Sequence, residues 1–381
     1  MNIHANKIDD WSFYILAFLA LVLVFSTALA ELASVILIIL WVGRLLIVRD
    51  FSFKTHYLFV PIALWILLRI VSIVFSTSPE LSQRGWEKVW IPLLYFPIAS
   101  LAIREKQMKL ILLLLLGSSI LATLWGSYQV LTGSQLRAAS LSSGYYTLGV
   151  HLCLVLALLL SYLAETHKVN KLFPLYLCGV ILVTGIFFTY ARACYLATVG
   201  TILILTIFRQ KKIFFFLVPL LLLFFLGPQE RFSRQDKFGQ VDYSTGRFQI
   251  WQAGLSKLPE TPLFGYGPNT FRTVYPEELR TELTDQKVKS WHNDFLQIFL
   301  ESGPLALLSY LLILLVFLKS SWRNYRALSP SVSSALQLGV ILIILDWVWI
   351  GLFANLVGDP LNAILFWSSL GLAQANRVAP S

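Results

Sequence analysis

Apolar blocks long enough to cross a lipid bilayer follow one another along most of this sequence, and that restricts the chain to few folds. A helix of roughly 20 apolar residues spans a hydrocarbon layer about 30 Å thick. Such a layer offers no water, so a crossing segment must satisfy its own backbone hydrogen bonds, as an α-helix does. Blocks of this kind fall near 11–26, 29–48, 58–75, 89–103, 109–130, 144–164, 171–189, 193–208, 212–227, 293–318, 335–356 and 360–373. The expected fold is all-α: a polytopic membrane protein of about 12 transmembrane helices, one integral membrane domain over 1–381. Only 13% of residues are charged, against about 25% in a soluble globule. The first two blocks lie close enough to form a hairpin around Ser26, Thr27 and Ala28.

Charge placement then orients the chain. The formal net charge is +10, but the basic residues sit in short clusters between apolar blocks, which argues for membrane lipids as partners and against nucleic acid. One set of connections holds Arg44, Arg49 and Lys54; Arg104, Lys106 and Lys109; Lys168 and Lys171; Arg209, Lys211 and Lys212; and Lys319, Arg323 and Arg326. Lys7 and Arg377 join them if the helix count is even. The opposite short connections carry only Arg84, Lys88, Arg137 and Arg192. The positive-inside rule therefore puts both termini in the cytoplasm and the long segment 228–291, between the ninth and tenth helices, outside. The amino terminus lacks the basic region and cleavage site of a signal peptide, so the first block is expected to stay as a helix. Cys153, Cys178 and Cys194 have no paired spacing that suggests a disulfide framework or a zinc site.

The outer segment is polar and too long for a mere connection. Residues 246–258 predict an amphipathic helix with Phe248, Trp251 and Leu255 on one side, capped by Ser244 or Thr245 and ended by Pro259 and Pro262. Phe264-Gly265-Tyr266-Gly267-Pro268-Asn269 predicts a turn cluster, followed by a short helix over 270–282. The glycine-rich turn lacks the Lys-Ser or Lys-Thr ending of a phosphate-binding loop.

Three residues on the outer side suit anion and proton chemistry. Arg192 stands at a connection too short to leave the membrane surface, Arg247 at a helix start, and His292 where the segment re-enters the membrane. Arginine stays charged and grips phosphate oxygens with a planar fork, so Arg192 and Arg247 suit a lipid-linked diphosphate. A neutral histidine can accept a proton from an attacking hydroxyl. Each also has a plainer reading: a snorkelling anchor, a solvated helix residue, an interfacial histidine. Arg84, Lys88 and Arg137 would add attraction for an anionic substrate, and Asn293 and Glu301 complete the candidate binding set. Glu301, about 13 Å along a helix from His292, suits neutralising an arginine on another helix better than orienting the histidine. Arg69 and Asp346 lie inside apolar blocks, where charge is usually paired or functional. No carboxylate–histidine spacing marks a metal.

The order Thr189-Tyr190-Ala191-Arg192, Ser244-Thr245-Gly246-Arg247 with Trp251, Pro262-Leu263-Phe264-Gly265-Tyr266-Gly267, and His292-Asn293-Asp294-Phe295-Leu296-Gln297 through Glu301-Ser302-Gly303 resembles the O-antigen ligase/polymerase superfamily. The ligases commonly carry a further glycine three residues after Gly303, where this chain has Ala306. The resemblance implies a GT-C-like, metal-independent, inverting glycosyltransferase without cofactor, on the periplasmic face of the bacterial inner membrane. The donor would be a glycan on undecaprenyl diphosphate. The acceptor would be lipid A–core oligosaccharide for a ligase, placed first here, or a lipid-linked glycan for a polymerase. Carried onto this sequence, Arg192 and Arg247 would bind the diphosphate and His292 would activate or orient the acceptor hydroxyl. A membrane transporter is the competing class, although no internal repeat or matched pair of broken helices supports it.

Overall fold

The computed structural model of the chain describes residues 3–49, 57–165, 172–226, 243–277 and 288–377. Helices α1 (Ile3–Val22) and α2 (Thr27–Val48) form the expected hairpin. Ser26 caps α2 by accepting a hydrogen bond from the Leu29 N–H at 3.3 Å, because the first N–H groups of a helix have no partner within it. There follow α3 (Phe59–Val74), α4 (Glu105–Leu131), α5 (Tyr145–Glu165), α6 (Phe173–Phe188), α7 (Arg192–Phe208) and α8 (Leu217–Leu226). After the outer segment and its helix α9 (Tyr243–Lys257) come α10 (Asp294–Ala327), α11 (Val332–Gly351) and α12 (Pro360–Gln374). Among the described residues five helices, α2, α4, α5, α10 and α11, are long and apolar enough to cross a membrane. α3, α6 and α7 are equally apolar but 16 or 17 residues long. Large apolar side chains point outward, with Leu46 68%, Val60 67% and Ile207 71% exposed. A surface of that kind suits lipid and not water; the protein is a multi-pass helical membrane protein.

The block expected as one helix over 89–103 is instead a run of short turns: Pro79–Ser82, Gln83–Gly85, Trp86–Val89, Ile91–Leu94 and Tyr95–Ala99. Pro92 and Pro97 each remove a backbone donor, so a continuous helical ladder cannot run through them. The run ends in β1 (Ala102–Ile103), which pairs in parallel with β2 (Asn376–Arg377). α10 runs well past 318, and α11 starts and ends earlier than 335–356.

The centre of the fold is α5, buried almost continuously from Leu148 to Glu165. It packs most extensively on α11 and also on α6 and α7. Gly339 of α11 lets the two backbones approach; a Cβ there would stand 2.8 Å from Leu158 Cδ2. At the far end of α5 the buried Glu165 carboxylate accepts from Arg209 Nη2 at 2.5 Å, Tyr325 Oη at 2.9 Å and Ser334 Oγ at 2.8 Å. Asp9 pairs with Arg44 at 2.7 Å. Connections that carry the basic clusters are thus joined to one another through carboxylates; Lys54, Lys168 and Lys171 lie outside the described residues.

In the outer segment α9 forms as predicted, but its buried stripe is Ile250 and Ala253, while Phe248 and Leu255 are exposed. The reason is the partner: Gly254 lies against Trp291 and Leu296, which with Phe271, Tyr275 and Leu300 make a second small core with that stripe. Because α9 begins at Tyr243, Ser244 and Thr245 are inside the helix and not before it as caps. Of the helix expected over 270–282, the described residues show one turn, Phe271–Val274, since Tyr275 is extended ahead of Pro276, and 278–282 lie outside them. Residues 227–242, which open the segment, and 278–287 lie outside the described residues.

Candidate active site

Arg192 owes its position to a three-residue connection. Thr189 Oγ1 donates to Ile186 O at 2.6 Å and accepts from the Ala191 N–H at 3.3 Å. Tyr190 takes φ +53°, which reverses the chain in a left-handed conformation rare for a bulky residue. Gly149 of α5 admits this connection closely, since a Cβ there would stand 3.1 Å from Thr189 Oγ1 and 3.2 Å from Cys194 Sγ. α7 then begins at Arg192 with Ala191 as an N-cap that supplies no side-chain acceptor. An uncapped helix start presents N–H donors and the positive end of the helix dipole, which favours an anion.

Arg247, carried by α9, faces the same space. Arg192 and Arg247 line one cavity of about 350 Å³, together with Tyr145, Tyr146, Tyr190, Trp251 and Phe353. Two cations and aromatic walls from four separate stretches of chain thus converge. Arg137 stands at the edge, its guanidinium 4.3 Å from the Tyr145 ring centroid, near enough for a cation–π contact.

His292 is beside this cavity and does not line it. Its neighbours are fixed to the wall. Trp251 Nε1 donates to the Trp291 carbonyl at 3.1 Å, and Asn293 Nδ2 donates to the Leu352 carbonyl, next to Phe353, at 3.2 Å. Trp291 is buried edge-on against Phe271, with centroids 4.8 Å apart, and its N–H donates to Gln297 Oε1 at 2.9 Å. Asn293 is the N-cap of α10, accepting from the Leu296 N–H at 3.0 Å. Between two anchored residues His292 adopts φ +50°, a strained setting that the surrounding bonds must hold. Burial first, and then the charge of Arg247, holds its imidazole down to about 4. It is therefore neutral near pH 7.

Residues 177–311 match a protein family described as O-antigen ligase. Over this stretch the chain resembles that family. No curated protein matches the chain. The matched segment includes Arg192, Arg247, His292, Asn293 and Glu301 and leaves out Arg84, Lys88 and Arg137.

Gly265, Gly267 and Gly303 serve a latch. α10 is broken at Gly303, φ +84°, followed by Pro304. Proline has no N–H to return to Leu300 O, and the break frees Glu301 O as well. The turn cluster fills both: the Tyr266 N–H donates to Leu300 O at 2.8 Å and the Gly267 N–H to Glu301 O at 2.9 Å. Glu301 Oε1 in turn accepts from the Asn269 N–H at 2.9 Å, and its charge interacts with that of Arg69 on α3. Glu301, placed in the candidate binding set, does not line the cavity; it fastens the segment behind it, and its charge acts on an arginine of another helix.

Arg84, exposed in the turn Gln83–Gly85, does not line the cavity. Lys88 also lies off it, donating to Gly358 O at 2.5 Å and lining a smaller enclosed space with Arg69, Tyr310 and Trp347. Among the described residues no cluster of three His, Cys, Asp or Glu side chains is gathered that would hold a metal ion. The cavity also uses residues that sequence reasoning missed: Tyr145, Tyr146, Tyr190 and Phe353. The one available signal was the Tyr145-Tyr146 pair opening an apolar helix, an interfacial position where aromatics are common anyway.

Proposed function

We propose that the protein is an O-antigen ligase of the bacterial inner membrane, moving a glycan from undecaprenyl diphosphate to lipid A–core oligosaccharide at the periplasmic face. The observation that carries this reading is that Arg192 and Arg247, 55 positions apart in sequence, line one aromatic cavity with His292 beside it. In this reading the chain has about 12 transmembrane helices in a GT-C-like arrangement, both termini are cytoplasmic, and 228–291 is a periplasmic loop. The family match supports lipid-linked glycan chemistry.

The acceptor hydroxyl attacks the anomeric carbon from the face opposite the diphosphate. The new C–O bond forms as the bond to the diphosphate oxygen breaks, and that electron pair leaves with the diphosphate. The hydroxyl proton passes to the neutral His292 imidazole. Arg192, Arg247 and the start of α7 hold the anion and stabilise the charge that grows on it, an effect largest in a site shielded from water. Asn293 holds His292 in place through its own bonds to Leu296 and Leu352.

Reconstitution with undecaprenyl-diphosphate glycan and separate acceptors tests the proposal. Conjugation to lipid A–core is the expected product. A lengthened lipid-linked glycan would make the protein a polymerase instead, and glycan crossing the membrane without a new glycosidic bond would overturn the transferase reading. His292→Ala is expected to lower the turnover about 10²- to 10⁴-fold, the usual range for a lost general base, with donor binding nearly unchanged. Full turnover by a well-folded His292→Ala protein would remove the histidine from the mechanism.

A further inference from the structure

α4 and α5 each pack against α6 far more extensively than against one another, and a groove of about 230 Å³ runs between them. Leu112 and Leu116 of α4, Leu158 and Leu159 of α5 and Leu175 of α6 form its walls. Its polar end is made by Lys109, one turn before Leu112, and Tyr162, one turn after Leu158. The two are close enough for an electrostatic interaction. Tyr162 lies toward Glu165, so this end is opposite the arginine cavity, which takes Tyr145 and Tyr146 from the other end of α5. Lys109 pairs with Glu105 at 2.6 Å, and both side chains are exposed; such a pair contributes little and gives way readily. Arg104 and Lys106 are exposed beside them, so the start of α4 sets three cations against one carboxylate.

The lining decides what fills the groove. Leucine walls give water no partners, and a buried water needs about three. An empty groove would forfeit dispersion contacts along every wall. The medium around these helices is acyl chain, which fits both conditions. Lipid tails are as apolar as leucine, so the walls do not select one lipid over another. The polar end does: an ammonium has three donors and no acceptor, and the surplus of positive charge around it calls for an anion. We propose that this groove is a binding site for an anionic phospholipid, one acyl chain lying between α4 and α5 and the head-group phosphate accepting from Lys109 beside Tyr162. Arg104 and Lys106 add longer-range attraction. The site is separate from the arginine cavity and stands whatever reaction that cavity performs.

The test titrates the full-length protein in detergent with phosphatidylglycerol, with phosphatidylcholine of the same acyl chains, and with glycerol 3-phosphate. Native mass spectrometry reads the bound lipid, and the melting temperature reads its effect on the fold. Phosphatidylglycerol is expected to bind most tightly and to raise the melting temperature as its concentration grows. Lys109→Gln should weaken that binding roughly 10- to 100-fold, the range for a lost hydrogen bond to a charged group. Its lipid-free melting temperature should stay near wild type, because only an exposed ion pair is lost. Lys106→Gln removes the same charge from the same helix start without touching the groove, and should weaken binding only about 5-fold. Equal losses in the two variants, or equal affinity for the two phospholipids, would overturn the site and leave a diffuse basic surface. Glycerol 3-phosphate binding as tightly as phosphatidylglycerol would overturn the part given to the acyl chain. No bound lipid on the wild type would overturn the whole proposal.

Discussion

Arg247→Ala is expected to reduce glycan transfer about 10²- to 10³-fold, the scale on which removal of one preorganised charge-stabilising donor acts, with little change in melting temperature. The side chain is half-buried on α9 and lines the cavity, while the stripe that docks that helix is formed by Ile250 and Ala253. Removing the guanidinium therefore takes a cation from the site without taking a contact from the core. Arg247→Lys keeps the charge but loses the planar fork, and should recover only part of the rate.

The pH profile separates charge from shape. His292 acts only when unprotonated, so transfer falls as pH drops through its pKa, which stands at about 4 in the free protein. One of the two causes is the charge of Arg247. Arg247→Ala removes it, so the imidazole gains proton affinity and the acid limb of kcat/KM moves to higher pH. Arg247→Lys should leave the limb where it is. A bound diphosphate offsets the arginine charge, so the limb of kcat should lie above that of kcat/KM. If the limb stays fixed in Arg247→Ala, the proton acceptor is not a group beside Arg247. The same depression has a sign for stability. The unfolded histidine binds its proton near pH 6.5 and the folded one only near 4, so its contribution to stability is present above about pH 6.5 and is lost as pH falls toward 4.

Much of this was legible in the chain because the bilayer imposes length and composition on any crossing segment. Arg192 could be found since a charge pinned to a three-residue connection has few places to go. What sequence could not supply was lateral position. Arg84, Lys88 and Arg137 share a predicted side with Arg192, yet only Arg137 reaches the cavity edge. Side is a one-dimensional coordinate, and the cavity needs two more. Periodicity likewise marked Phe248 and Leu255 as one stripe of α9 without saying that the stripe facing Trp291 is a different one. The segment over 89–103 was read as a helix from its apolar content, while Pro92 and Pro97 decided its shape. The turn cluster was visible from its glycines, but its partner is a pair of carbonyls freed by Gly303 and Pro304, residues that lie far along the chain.

That partnership carries the second large effect. Gly265→Ala is expected to destabilise the protein by about 3–5 kcal/mol, from a left-handed backbone and overpacking together, and to abolish transfer although it touches no residue of the cavity. Gly265 has φ +73°, and a Cβ there would fall 2.3 Å from the Glu301 carbonyl carbon, a backbone atom that cannot swing away. The turn must lift. As it lifts, Leu300 O loses the Tyr266 donor, a buried acceptor costing about 1–3 kcal/mol when unpaired, while Glu301 O loses the Gly267 donor and is left with that of Ser72 Oγ. The same turn is held from the other side by Thr77, whose N–H donates to Tyr266 O at 3.0 Å, and by Ser82, whose Oγ donates to Pro268 O at 2.8 Å. Releasing it therefore loosens both α10 and the 76–82 stretch, and with them the small core on which α9 presents Arg247. Gly200→Ala is the control: Gly200 lies inside α7 with nothing within 4 Å of an added Cβ, so alanine there should raise stability slightly through helix propensity. The measurements are melting temperature in detergent, protease susceptibility of the 243–277 stretch, and transfer rate. A Gly265→Ala protein that melts with the wild type and keeps its transfer rate would show that the turn and the broken helix do not hold the arginine-bearing segment in place.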